Sequence, residues 1–115
     1  MNAALLLLVM ACGDNADDSG GLDPLCQDAP VVTWEYWGQG FLTESCQSCH
    51  GGGTIDRNGA PESVRFDTEA DVWTHRDSIL STATGDSPTM PPRGGLSEDD
   101  RALLEIWLTC WLEAP

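Results

Sequence analysis

Lysine is absent from the 115-residue sequence, and five arginines stand against 19 acidic residues, for a formal charge of −14. So little positive charge excludes phosphate-backbone binding, where lysine and arginine supply the affinity, and it disfavours anionic lipid head groups for the same reason. Basic proteins remain as the electrostatically favoured partners, although the same charge also serves solubility. Long apolar runs are missing too. The one around AALLLLVMA, residues 3–11, is too short to span a bilayer as a helix. Histidine and methionine are scarce, with two and three copies, so any metal chemistry has few ligands to draw on. No internal repeat is visible. The length suits one small domain, and five tryptophans, two phenylalanines and one tyrosine provide bulk for a modest core.

The short apolar run fits the centre of an export signal. It ends in VMAC, residues 9–12, which resembles a bacterial lipobox: an aliphatic residue, two tolerated positions of which the second is small, then the cysteine that is lipidated and becomes the new N-terminus. The resemblance implies a lipoprotein-type signal peptide over residues 1–11, lipidation at Cys12, and residence in the bacterial periplasm with membrane attachment only through the lipid. The Met-Asn ahead of the run carries no positive charge, a departure from the pattern. Residues 12–24 follow as an acidic, glycine-rich stretch with a single leucine, too poor in apolar area to offset its ordering entropy, and read as a flexible tether. The compact domain is expected over residues 25–115.

The remaining four cysteines divide into two pairs. Cys46 and Cys49 lie in SCQSCHGGG, residues 45–53, with His50 directly after them. A thioredoxin-type redox centre would need a buried strand before Cys46, and none is apparent. A structural zinc site would need four protein ligands, typically a second close pair, and only His75 with the distant Cys26 and Cys110 could contribute. Covalent haem c needs only what is here: two thiols three residues apart on one helical edge, and an adjacent imidazole for the iron. Cys26 and Cys110 are left as an even pair at the two ends of the domain. In an oxidising compartment they are expected to form a disulfide, by elimination rather than by any spacing rule. Its closed loop of about 85 residues corresponds to roughly 4–5 kcal/mol in the chain-entropy picture.

Haem iron has a sixth position. Met1 is the initiator and Met10 lies in the signal, so Met90 is the only methionine of the mature domain. It sits in DSPTMPPRGG, among prolines that hold the chain extended and suit it to presenting a thioether opposite His50. CQSCH, then TMPP forty residues on, then an amphipathic C-terminal helix, together resemble a small class I cytochrome c over roughly residues 30–115. The resemblance implies an all-α fold of about three main helices plus loops around one covalently attached haem, with the first and last helices crossing. It implies that a glycine at Gly38 allows close approach of the last helix, for which Trp107 is the candidate neighbour. It also implies that a proline carbonyl, here Pro61 by spacing, accepts the Nδ1 proton of the ligating imidazole, a bond that fixes the ring and strengthens it as a donor.

The residues support the helices independently. Trp34, Trp37 and Phe41 form a stripe leading into the haem motif, although Gly38 and Gly40 weaken that helix. A helix is expected at 68–83, capped by Asp67 or Thr68, with Val72, Trp73, Ile79 and Leu80 on its apolar side. Ser97 is a good cap for the last helix, with Glu98, Asp99 and Asp100 in its first turn and Leu103, Leu104, Trp107, Leu108 and Trp111 at helical spacing. Between motif and middle helix, GGGTIDRNGAPESVRF reads as a loop over one haem face. His75 reads as a helix-surface residue, with iron ligation as its lesser alternative. Arg57, Arg65 and Arg93 are candidates to pair with haem propionates.

These readings lead to an exported one-electron carrier, not an enzyme, with haem c as sole cofactor and His/Met ligation by His50 and Met90. Its partners would be redox proteins with basic docking surfaces. The alternative is a small haem enzyme or a gas or peroxide sensor whose sixth site opens; the chain offers little for a distal acid–base pair.

Overall fold

In the computed structural model the described residues are 23–115. The expected signal peptide, Cys12 and almost all of the tether lie outside them. The described chain is helical, with no strand among its residues. A 3-10 turn at Pro24–Cys26 opens it, with the Asp23 carboxylate accepting from Leu25 N at 2.9 Å.

Helix α1 starts as a π-helical turn, Trp34–Gly38, and continues as Gln39–Ser45. Thr33 begins it: its hydroxyl accepts from Tyr36 N at 3.2 Å, and its carbonyl accepts from both Trp37 N and Gly38 N at 3.0 Å. Chain direction breaks at Cys46, and the single turn α2, Gln47–His50, follows. Helix α3 is Glu69–Ala83. Thr68 caps it in a full capping box, its hydroxyl accepting from Asp71 N while the Asp71 carboxylate accepts from Thr68 N. Helix α4 is Glu98–Ile106 and ends in a second π-helical turn, Trp107–Trp111. Ser97 caps it through Asp100 N at 3.0 Å, beneath three acidic residues that favour the positive helix end.

One face of each long helix meets in a common core. Phe41 and Leu42 of α1, Val72, Ile79 and Ala83 of α3, and Leu104, Trp107 and Leu108 of α4 are all buried, with Phe66 from the loop before α3. Val72, Ile79 and Ala83 lie at i, i+7 and i+11, the spacing of one helical stripe. Trp73 was expected on that side and is instead 40% exposed; one residue on from Val72 it is turned well off the stripe. Leu80, the fourth residue of that set, is half-buried against the core.

α1 and α4 approach closely at Gly38. A Cβ at that position would lie 2.6 Å from Cη2 of the fully buried Trp107. Trp34 and Trp37 flank the same indole at centroid distances of 6.2 and 6.3 Å, and Trp37 stacks on Phe41 at 4.3 Å. Gly38→Ala is therefore expected to destabilise the fold by about 1–3 kcal/mol, the usual cost of overpacking, read as a lower denaturation midpoint in urea. An unchanged midpoint would mean that the two helices separate freely, against this packing.

Cys26 and Cys110 are joined by a disulfide, with Cα atoms 5.6 Å apart. It ties the start of the described chain to the last turn of α4. Trp111 reinforces the junction, its indole N–H donating to Pro30 O at 2.9 Å. No described helix is long and apolar enough to cross a membrane.

Candidate functional site

The break between α1 and α2 sets the site. Cys46 N donates to Leu42 O, closing α1, while Cys46 O accepts from both Cys49 N and His50 N at 3.2 and 3.0 Å. One turn of backbone thus fixes both thiols and the imidazole relative to each other. All three line a cavity of about 400 Å³, within the ~300–1,000 Å³ of small-molecule and cofactor sites. Its walls are largely apolar, with Leu42, Phe66, Ile79, Leu96 and Leu104 contributing.

Met90 reaches the same cavity from the proline-rich loop and is 38% exposed. The loop is non-helical, as its prolines require, and the Met90–Pro91 peptide is cis. It is held by the end of α3: Thr89 N and Met90 N both donate to Thr82 O, at 2.7 and 2.9 Å. Arg101 of α4 completes the hold, with Nη1 donating to Ala83 O at 2.7 Å and Met90 O at 3.0 Å.

The imidazole of His50 is oriented from behind. Nδ1 lies 2.9 Å from Val64 O. A carbonyl can only accept, so Nδ1 carries the proton and Nε2 keeps its lone pair. The acceptor is not the expected Pro61. Residues 61–64 form a turn in which Pro61 O accepts from Val64 N at 3.0 Å and from Arg57 Nη2 at 3.0 Å. The turn folds the Pro61 carbonyl into its own closure and presents the carbonyl three residues later. Pro61 nevertheless lines the cavity.

Arg57 was a candidate for a propionate partner, and here it organises the loop. Nε donates to Ala60 O, Nη1 to Gly51 O, and Nη2 to Pro61 O and Val64 O, at 2.6–3.2 Å. Arg65 and Arg93 are exposed and do not line the cavity. His75 is half-buried, with Nε2 at 3.1 Å from Ser63 O; it does touch the cavity. Asn58, which was not singled out in the sequence, donates from Nδ2 to Cys49 Sγ at 3.3 Å. Its signal was the Asn58-Gly59 turn, both residues at positive φ. Gln47 and Asp67 close the loop base: Gln47 Nε2 donates to Phe66 O, and the Asp67 carboxylate accepts from Gly52 N.

Burial, with the neighbouring Cys49 thiol adding, pushes the Cys46 thiol up to about 11. A thioredoxin-type nucleophile has its thiol lowered, so this environment is wrong for disulfide exchange. Nor do three or more His, Cys, Asp or Glu side chains gather as a metal cage among the described residues; the zinc reading lacks its ligands, whereas covalent haem needs no such cage. The residues present fit haem c: two thiols at a largely apolar cavity, an imidazole with a free Nε2, and a thioether from another element.

The raised thiol has a stability consequence. A proton bound more tightly in the folded state stabilises fully below the ordinary thiol value of 9.0 and is lost as pH rises toward about 11. The haem-free chain with free thiols should lose on the order of 2–3 kcal/mol across that window. Cys46→Ala should flatten the difference, read by urea unfolding at pH 8 and pH 11 on the two chains.

No protein-family model matches the chain, and neither does any curated protein or solved structure.

Proposed function

We propose that this chain is an exported c-type cytochrome, a one-electron carrier of the class I cytochrome c kind, with one haem c that Cys46 and Cys49 would hold and whose iron His50 and Met90 would ligate. The observation that carries the reading is the meeting of all four side chains at one apolar cavity, from segments forty residues apart, with the His50 ring oriented so that Nε2 remains a donor.

Bound haem would supply reversible one-electron iron chemistry. What the chain contributes can be assigned residue by residue. Cys46 and Cys49 would anchor the group covalently. Val64 O fixes the tautomer and rotation of His50 and raises its basicity. The backbone holds on Met90 place a thioether, a soft ligand that favours the reduced state and a higher potential. Leu42, Phe66, Ile79 and Leu104 would give the bound group an apolar wall, which lowers the solvent reorganisation that accompanies electron transfer. The acidic surface suits docking by a basic redox partner, and a lipid on Cys12 would keep the domain near a membrane.

Expression with a haem-c maturation system tests the reading. The intact mass should rise by one haem, and the absorption spectrum should be that of a low-spin c-type haem. Cys46→Ala and Cys49→Ala together should give a chain of unmodified mass. A wild-type chain that emerges without haem under conditions that mature a control cytochrome would overturn it. For the anchor, Cys12→Ser should move the protein from the membrane fraction to the soluble periplasm; unchanged membrane association would tell against lipidation.

A further inference from the structure

Val64 O is shared. Along with His50 Nδ1 at 2.9 Å, it accepts from Arg57 Nη2 at 3.0 Å. Its two lone pairs are therefore both in use, one on the imidazole and one on a guanidinium. Four of the five guanidinium N–H groups are committed to loop carbonyls of residues 51, 60, 61 and 64. Among the described residues Arg57 has no carboxylate within ion-pair distance; the one ion pair is Arg76–Asp77. A half-buried, unneutralised cation thus sits on the acceptor that orients His50 and lines the same cavity.

We infer that Arg57 is a positioning residue that sets the donor strength of His50 through the Val64 carbonyl. The inference rests on the proposed haem reading and deepens it. A charge-assisted donor draws electron density from the oxygen it binds. The same oxygen then accepts less strongly from His50 Nδ1–H. Less negative charge develops on the imidazole, so Nε2 donates less to a metal. The oxidised metal, the more electron-poor state, loses more from that weakening than the reduced one. Arg57 accordingly raises the reduction potential, and it does so through a single shared oxygen. The planar fork matters: four carbonyls are spanned at once, which a lysine ammonium with three donors on one atom cannot do.

The experiment compares wild type, Arg57→Lys and Arg57→Gln, each loaded with haem and verified by mass. Redox titration is the first readout. Both variants should shift the equilibrium toward the oxidised form by about tenfold at a fixed poise, about 59 mV for a one-electron couple. The second readout is the His50 Nδ1–H proton resonance of the reduced, diamagnetic protein, which should move in the direction of a stronger hydrogen bond in both variants. A Lys variant that keeps the wild-type potential while Gln falls would show that charge alone acts, and would overturn the role of Val64. Unchanged potentials in both variants would overturn it as well. If Arg57→Gln does not mature, the wild type still decides: guanidinium protons of Arg57 should be resolved and slow to exchange in the reduced protein, and fast exchange there would refute the clamp. Failure of the haem reading itself would appear earlier and separately, as wild-type chain without haem mass.

Discussion

Met90→Ala in the haem-loaded protein should leave haem covalently attached, open the sixth position to water or added ligand, and lower the reduction potential. The anchoring residues Cys46, Cys49 and His50 are all in or beside α2, untouched by the change. The loop should stay where it is, because it is held through backbone groups: Met90 N on Thr82 O and Met90 O on Arg101. Only the thioether is removed. Replacement of a soft sulfur ligand by water removes the preference for the reduced state, and the electron-transfer equilibrium should move by more than tenfold, above about 59 mV. Visible spectroscopy should report loss of the weak red band of Met–Fe(III) coordination and a change toward high spin. Met90→His should restore low spin at a potential below that of wild type. If Met90→Ala keeps a low-spin spectrum and an unchanged potential, Met90 is not the ligand, and His75, which also touches the cavity, is the next residue to replace.

Removal of the disulfide should have the largest effect on stability. Cys26 and Cys110 are separated by 84 positions, and the chain-entropy relation for a loop of that size gives about 4–5 kcal/mol. A domain of this size has a total stability of roughly 5–15 kcal/mol. The double variant Cys26→Ser, Cys110→Ser, prepared without haem, should therefore lose from about a quarter to nearly all of that stability, read as a large fall in thermal midpoint. Haem attachment should recover part of the loss, since a covalently held group that packs in the native cavity stabilises only the folded chain. Thermal unfolding of the four combinations, with and without bridge and haem, measures both terms. A double variant as stable as the wild type would mean that Trp111, which binds Pro30 O, and the α1–α4 contact already hold the ends together.

Much of this was legible in the sequence where the local chemistry is strong. Caps act within one turn, so the starts of α3 and α4 follow closely from the residues: Ser97 ahead of three acidic residues marks α4, and of the two candidates Asp67 and Thr68 the structure selects Thr68, through its reciprocal bonds with Asp71. Gly38 stands out by its place eight residues before Cys46, and Trp107 does meet it. The π-helical turns at Trp34–Gly38 and Trp107–Trp111 were not visible. Both lie where α1 and α4 carry bulky indoles, and winding of that kind answers to tertiary packing rather than to propensity. Trp73 was misplaced because four apolar residues on α3 allow two stripes, and only the neighbouring helices choose between them. The acceptor for His50 is hidden from the sequence for a related reason. Spacing from the motif locates a proline, but which carbonyl of a turn faces outward depends on the turn's own hydrogen bonds, and these depend on Arg57. Arginines in a loop carry no sequence mark that separates a solvated side chain from one binding four carbonyls.

The two sides of the cavity are secured to different depths. On the His50 side, Arg57, Gln47 and Asp67 bind the loop internally, and α2 is continuous with it. On the Met90 side the holds are Thr82, in the last turn of α3, and Arg101, in the first turns of α4. Helix ends open at lower free energy than the helices they terminate. The loop bearing Met90, which lacks the internal clamp that Arg57 gives the loop beside His50, is therefore expected to open first. In amide exchange Thr89 N and Met90 N should become labile while His50 N and Gly51 N are still protected. With haem bound as proposed, a displacement of the loop at Pro91 and Pro92 would move Met90 while leaving Cys46, Cys49 and His50 in place.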